Sequence, residues 1–110
     1  MANEFIYPTE KELLRIKTAE VTRDNFYEFM DSIKDYWSAY GSWEHRGNFY
    51  RLATGGWSEN ENIISALESN SMFWICFWVL SKVGGLYIFG YHNADLDKYD
   101  EEEELIKELL

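Results

Sequence analysis

The sequence predicts an α+β fold: a three-stranded antiparallel sheet over residues 48–54, 72–81 and 86–91, packed with helices over 23–40 and 59–69. Three observations carry this. Met72-Phe-Trp-Ile-Cys-Phe-Trp-Val-Leu80 and Leu86-Tyr-Ile-Phe-Gly-Tyr91 are rich in the β-branched and aromatic residues that suit a pleated surface. Gly84-Gly85 between them supplies the positive φ values of a tight hairpin turn. Phe26, Phe29, Met30, Ile33, Tyr36, Trp37 and Tyr40 recur at helical spacing as one wide stripe.

The first hairpin strand is read as buried, with Cys76 as a small apolar residue in its middle. A two-residue turn pairs Val83 with Leu86, Leu80 with Phe89 and Trp78 with Tyr91. Neither face of that hairpin is polar, whereas an antiparallel sheet open to water on one side alternates apolar with polar. Helices must therefore cover both faces, or one face must meet a partner. The run is well short of the roughly 20 residues of a membrane span.

In chain order, residues 1–8 form an extended arm in which Phe5, Ile6 and Tyr7 can pin against the core, stopped by Pro8. Thr9-Glu-Lys-Glu12 has the form of a capping box opening a helix from about Glu10 to Lys17, with a strand from Leu13 to Val21 as the competitor. Thr22 caps the 23–40 helix and Gly41 ends it. Ser42 to Gly47 is a loop, followed by the 48–54 strand. Gly55-Gly56-Trp57 turns the chain into a second capping box, Ser58-Glu-Asn-Glu61, and Asn70 closes that helix in the left-handed conformation. A polar connector leads to Glu101–Leu110, which suits a helix with an acidic first turn and a stripe of Leu105, Ile106, Leu109 and Leu110. Residues 1–94 thus read as a single α+β domain and 95–110 as an acidic C-terminal helix or tail.

Charge narrows function by exclusion. The chain carries −10 in 110 residues, and residues 95–110 supply −6 of it from eight acids and two lysines. Such a surface repels phosphate backbones and anionic lipid, so direct nucleic-acid or membrane binding is not expected. One cysteine excludes an internal disulfide and a cysteine-rich zinc site. The opening Met-Ala-Asn-Glu has neither the basic segment nor the apolar run of a secretory leader, which predicts a cytoplasmic protein.

His45, between Glu44 and Arg46, has the chemistry of a general base, yet no serine or cysteine sits in a nucleophile's context. His92-x-x-Asp95-x-Asp97 offers nitrogen and oxygen ligands but lacks a calcium loop's glycine and a zinc enzyme's histidine pair. Gly55-Gly56 before a capped helix has the outline of an anion site, but Glu59 and Glu61 already occupy that dipole. Neither catalysis nor a cofactor is expected. The residues left as partner-binding candidates are Trp43, His45 and Trp57, with the acidic run Asp95, Asp97, Asp100, Glu101, Glu102, Glu103 and Glu104.

Thr54-Gly-Gly-Trp-Ser-Glu-Asn-Glu-Asn-Ile-Ile-Ser-Ala-Leu67, followed by Phe73-Trp74, Trp78 and Gly84-Gly85-Leu-Tyr-Ile-Phe89, resembles a pattern in small uncharacterised phage and prophage proteins. The resemblance covers roughly residues 54–89, and no catalytic residues transfer with it. It implies a phage protein acting in a bacterial cytoplasm, with no established activity to carry over. Together with the acidic charge, the small size and the missing catalytic set, it leads to the expectation of a factor that binds and inhibits a host protein. A nucleic-acid-handling defence factor with a basic groove fits that description, as for an anti-CRISPR-like protein. The acidic end would then imitate phosphates. The rival reading is a small-ligand-binding or catalytic domain that uses the Trp43–His45 loop and the Trp57 turn. Homo-oligomerisation through an aromatic sheet face is a further expectation.

Overall fold

The structure, a computed structural model, describes residues 8–92 and 98–110, apart from the Tyr99 side chain. The arm expected around Phe5–Tyr7 lies outside the described residues, as do Asp95 and Asp97. The fold is α+β: five helices and a four-stranded antiparallel sheet among the described residues.

Helix α1, Glu10–Thr18, begins at the expected box, with the Thr9 hydroxyl accepting from the Glu12 amide at 3.2 Å. That settles residues 10–18 as helix and not strand. Helix α2, Phe26–Lys34, is shorter than the 23–40 its stripe implies. At its start Asn25 accepts from the Thr22 amide, so residues 22–25 form a turn and Thr22 is no cap. At its end the Ser38 amide donates to Asn60 at 2.8 Å, which pulls the chain out of helical register. Trp37 stays buried, but Tyr40 is exposed.

Residues 42–46, expected as loop, form strand β1 (Ser42–Arg46), which pairs with β2 (Phe49–Ala53) around a turn at Gly47. The sheet therefore has four strands where three were expected. Helix α3, Ser58–Ser69, matches the expected span to one residue. Its N-cap position falls on Trp57, without a side-chain cap bond, so Ser58 is the first helical residue and not the cap.

The largest correction concerns residues 72–81. Ser71–Phe77 is helix α4, and only Trp78–Lys82 is strand, β3. An apolar run without polar alternation is compatible with either state. Asn70 decides between them. It is not left-handed (φ −85°), and its side-chain oxygen accepts from the Phe73 amide at 3.1 Å, capping α4. Phe73 and Phe77, one helical turn apart, are both buried. Cys76 and Trp78, expected in the core, are exposed.

Strand β4 (Leu86–Gly90) lies between β2 and β3, giving the order β1-β2-β4-β3. The β3–β4 turn is one residue longer than expected: Lys82 faces Leu86, Leu80 faces Ile88, and a shift at Val79 brings Trp78 opposite Phe89. Gly84 and Gly85 do adopt positive φ, 102° and 85°.

Helices cover both sheet faces. On one, residues of α1 to α4 enclose Tyr50, Leu52 and Phe89; on the other, Ile106 and Leu109 of α5 (Tyr99–Leu109) pack on Phe49 and Ile88. Successive strand residues point to opposite faces, so Phe49 and Tyr50 are buried in different clusters. This is why the hairpin shows no polar alternation. Among the described residues, no helix is long and apolar enough to cross a membrane.

Candidate functional site

The expected partner-binding residues do not share one place. Trp43 and His45 alternate along β1 and so share a face, opposite Leu52 and Tyr50 of β2. Trp57 follows β2 at its far end, in the Gly55-Gly56 turn, where its ring stacks on Tyr40 (centroids 4.7 Å apart, 28° between planes). Trp43 and Trp57 thus lie toward the end of the β1–β2 hairpin where Ser42 pairs with Ala53, while His45 lies nearer its turn, opposite Tyr50.

What the fold does assemble is a polar and aromatic cluster around the β1–β2 turn. His45 lies flat against Tyr50 (4.1 Å, 6°), and its Nε2 is 2.8 Å from the Gly47 carbonyl oxygen. From α2, the Tyr27 hydroxyl donates to the Asn48 side-chain oxygen, and Asn48 Nδ2 donates to Glu102 of α5 at 3.0 Å. His92 Nδ1 is 3.3 Å from the other oxygen of Glu102, and its Nε2 is 3.7 Å from Glu103. Tyr91, just past β4, receives the Arg23 guanidinium over its ring at 5.0 Å. Helix α2, one end of the central β2–β4 strand pair and α5 are thereby tied at one point.

The electrostatics of the cluster act on its two buried phenols. Burial, then a hydrogen bond from Tyr91, pushes the Tyr27 phenol far above its usual range. The Tyr50 phenol is pushed up to about 12, first by burial and then by the negative charge of Asp31. Both stay protonated near neutrality, so neither is a base or nucleophile. Among the described residues no group of three or more His, Cys, Asp or Glu side chains is placed to hold a metal ion. Asp95 and Asp97, the oxygen ligands considered with His92, are outside the described residues.

The remaining acids divide by exposure. Glu102 is buried on the inner side of α5, Glu103 is half-buried, and Asp100, Glu101 and Glu104 are exposed together with Glu108. Glu108 reaches Arg46 of β1 at 3.0 Å, an exposed pair worth little by itself. Sequence reasoning missed Tyr27, Asn48 and Tyr50, which are unremarkable locally and become a group with Tyr91 only through tertiary contact.

Fold and surface together define a small acidic α+β domain. No family model, curated protein or solved structure matches the chain.

Proposed function

We propose that the chain is a small acidic interaction protein that binds a host protein through that protein's basic, nucleic-acid-handling surface and blocks it. The phage setting rests on the sequence resemblance. The observation that supports the binding mode is the seating of α5. Ile106 and Leu109 hold one side of this helix against Phe49 and Ile88, and Asn48 anchors the buried Glu102. The outward carboxylates Asp100, Glu101 and Glu104 are therefore carried on a fixed backbone and not on a loose tail. Carboxylates at set spacing can occupy a groove built for phosphates, and their field steers a basic partner during encounter. No chemical step and no cofactor enters this reading.

The test is capture from bacterial lysate on the immobilised full-length protein, at low and high salt, beside a Glu101→Lys/Glu104→Lys variant. Both side chains are solvent-facing, so the variant keeps its fold. A captured protein with a basic surface should bind the variant at least about tenfold more weakly, and salt should slow its association as the charges are screened. A partner that binds wild type and variant alike, at any salt, would refute the proposal.

A further inference from the structure

We infer that the cleft between Arg23 and Trp78 binds a small molecule that joins an oxyanion to a flat aromatic ring. The cleft lies where the turn before α2, the end of α4, β3 and the end of β4 meet, and it measures about 390 Å³. That falls within the ~300–1,000 Å³ of small-molecule sites. Arg23 supplies the charge. Its guanidinium sits over the Tyr91 ring, 5.0 Å from the centroid, and among the described residues no carboxylate lies within ion-pair distance of it. Arg15 and Arg46, by contrast, pair with Glu12, Glu44 and Glu108. In a chain with 20 acids and 10 bases, an arginine held against a ring and left without an acid is available to a ligand's oxyanion.

The walls set the rest of the ligand. Trp78 leaves 40% of its surface in water, although one side lies against Trp74 with centroids 6.1 Å and planes 15° apart. It lines the cleft beside Val79, and a partly exposed indole offers a stacking surface to a flat ring. His92 lines the cleft too, but its nitrogens are 3.3 and 3.7 Å from Glu102 and Glu103, so it serves as wall and not as a second cation for the ligand. Neither of those carboxylates lines the cleft, and among the described residues no other acid does. Other hollows differ: one is lined by Glu20 and Glu28, another by Glu61 and Glu68. This cleft therefore admits an anion where the acidic surface elsewhere repels one. It shares no residue with α5, so the inference is independent of the partner proposed there.

Titration of the isotope-labelled full chain, read by amide and indole chemical shifts, tests it. The probes are benzoate and adenosine monophosphate up to about 5 mM, since one charge contact and one stack bind weakly. Saturable shifts at Arg23, Trp78 and Tyr91 are expected with at least one of them. A response to the nucleotide alone identifies the oxyanion as phosphate, and a response to benzoate alone identifies it as carboxylate. Inorganic phosphate and adenosine, each half of a ligand, should bind at least about tenfold more weakly than the better probe. Arg23→Gln should weaken binding at least about tenfold, whereas Arg46→Gln should bind like wild type; both side chains are exposed, so both variants fold. Trp78→Phe keeps a stacking ring and should keep the affinity, while Trp78→Leu should lose about fivefold or more. The inference is overturned if neither probe gives saturable shifts at these residues, if Arg23→Gln binds as wild type does, or if inorganic phosphate binds as tightly as the better probe.

Discussion

Asn70 and Ile16, 54 positions apart, are joined by a hydrogen bond in which Asn70 Nδ2 donates to the Ile16 carbonyl at 2.9 Å. The same nitrogen donates to the Ala19 carbonyl at 2.9 Å, while the side-chain oxygen caps α4 through Phe73. One buried amide thus ends α3, starts α4 and secures the C-terminal end of α1. Replacing it with alanine strands two carbonyls and an amide. Asn70→Ala should cost about 2–4 kcal/mol in denaturant unfolding, and a loss under about 1 kcal/mol would show that water substitutes for the side chain.

Two cap residues that look alike in sequence should behave differently. Thr9 accepts from the Glu12 amide, so Thr9→Ala should cost about 0.5–1 kcal/mol. Ser58 lies inside α3, and Ser58→Ala should change stability by less than about 0.5 kcal/mol. Equal losses would make Ser58 the N-cap and move the start of α3 to Glu59.

Adjacent aromatic residues at the α4–β3 junction separate in the same way. Phe77 is 3% exposed and stacks on Phe26 at 4.6 Å, so Phe77→Ala should cost about 3–5 kcal/mol. Trp78 is partly in water and packs on Trp74, and Trp78→Ala should cost about 1–2 kcal/mol. Thermal melts of the two variants give the comparison, and a reversed order would restore Trp78 to the core.

At Gly47 the φ is 57°, and a Cβ built there would lie 2.9 Å from Leu105 Cδ1 of α5. Gly47→Ala therefore adds left-handed strain of about 1–2 kcal/mol and presses on the docked helix. Faster amide exchange in residues 100–109 than in α3 would be the sign. Uniform protection with wild-type stability would show that the turn relaxes freely.

Alkaline pH should destabilise the fold through Tyr50. Its pKa rises from 10.0 to about 12 on folding, with burial the main cause, so the folded state holds the phenolic proton more tightly than the unfolded chain. That contribution is complete below pH 10 and is lost as pH climbs toward 12. Tyr27 acts in the same direction. The Tyr50 hydroxyl is buried without a hydrogen-bond partner, so Tyr50→Phe should be neutral or mildly stabilising at pH 7. The variant should also lose less stability than wild type across the alkaline window. Parallel curves would remove Tyr50 as a source.

Much of this architecture was legible in the sequence because it is locally encoded. The Thr9 box, the apolar positions of α3 and the paired glycines at 84 and 85 act over a few residues, and each appears within a residue or so of its expected place. The stripe from Phe26 to Tyr40 marks a helix that stops six residues early, at Lys34. Tertiary structure decided the rest. Met72 to Phe77 suits helix or strand, and the contacts of Asn70 with α1, far away in sequence, select helix. Residues 42–46 hold only Trp43 as a large apolar residue, too weak a pattern to announce an edge strand until β2 supplies hydrogen bonds. The α5 stripe cannot say what it docks on, since that depends on a sheet face built from Phe49 and Ile88, both distant in the chain. Local chemistry sets which backbone states are cheap; where two states are nearly equal, long-range burial and buried hydrogen bonds choose between them.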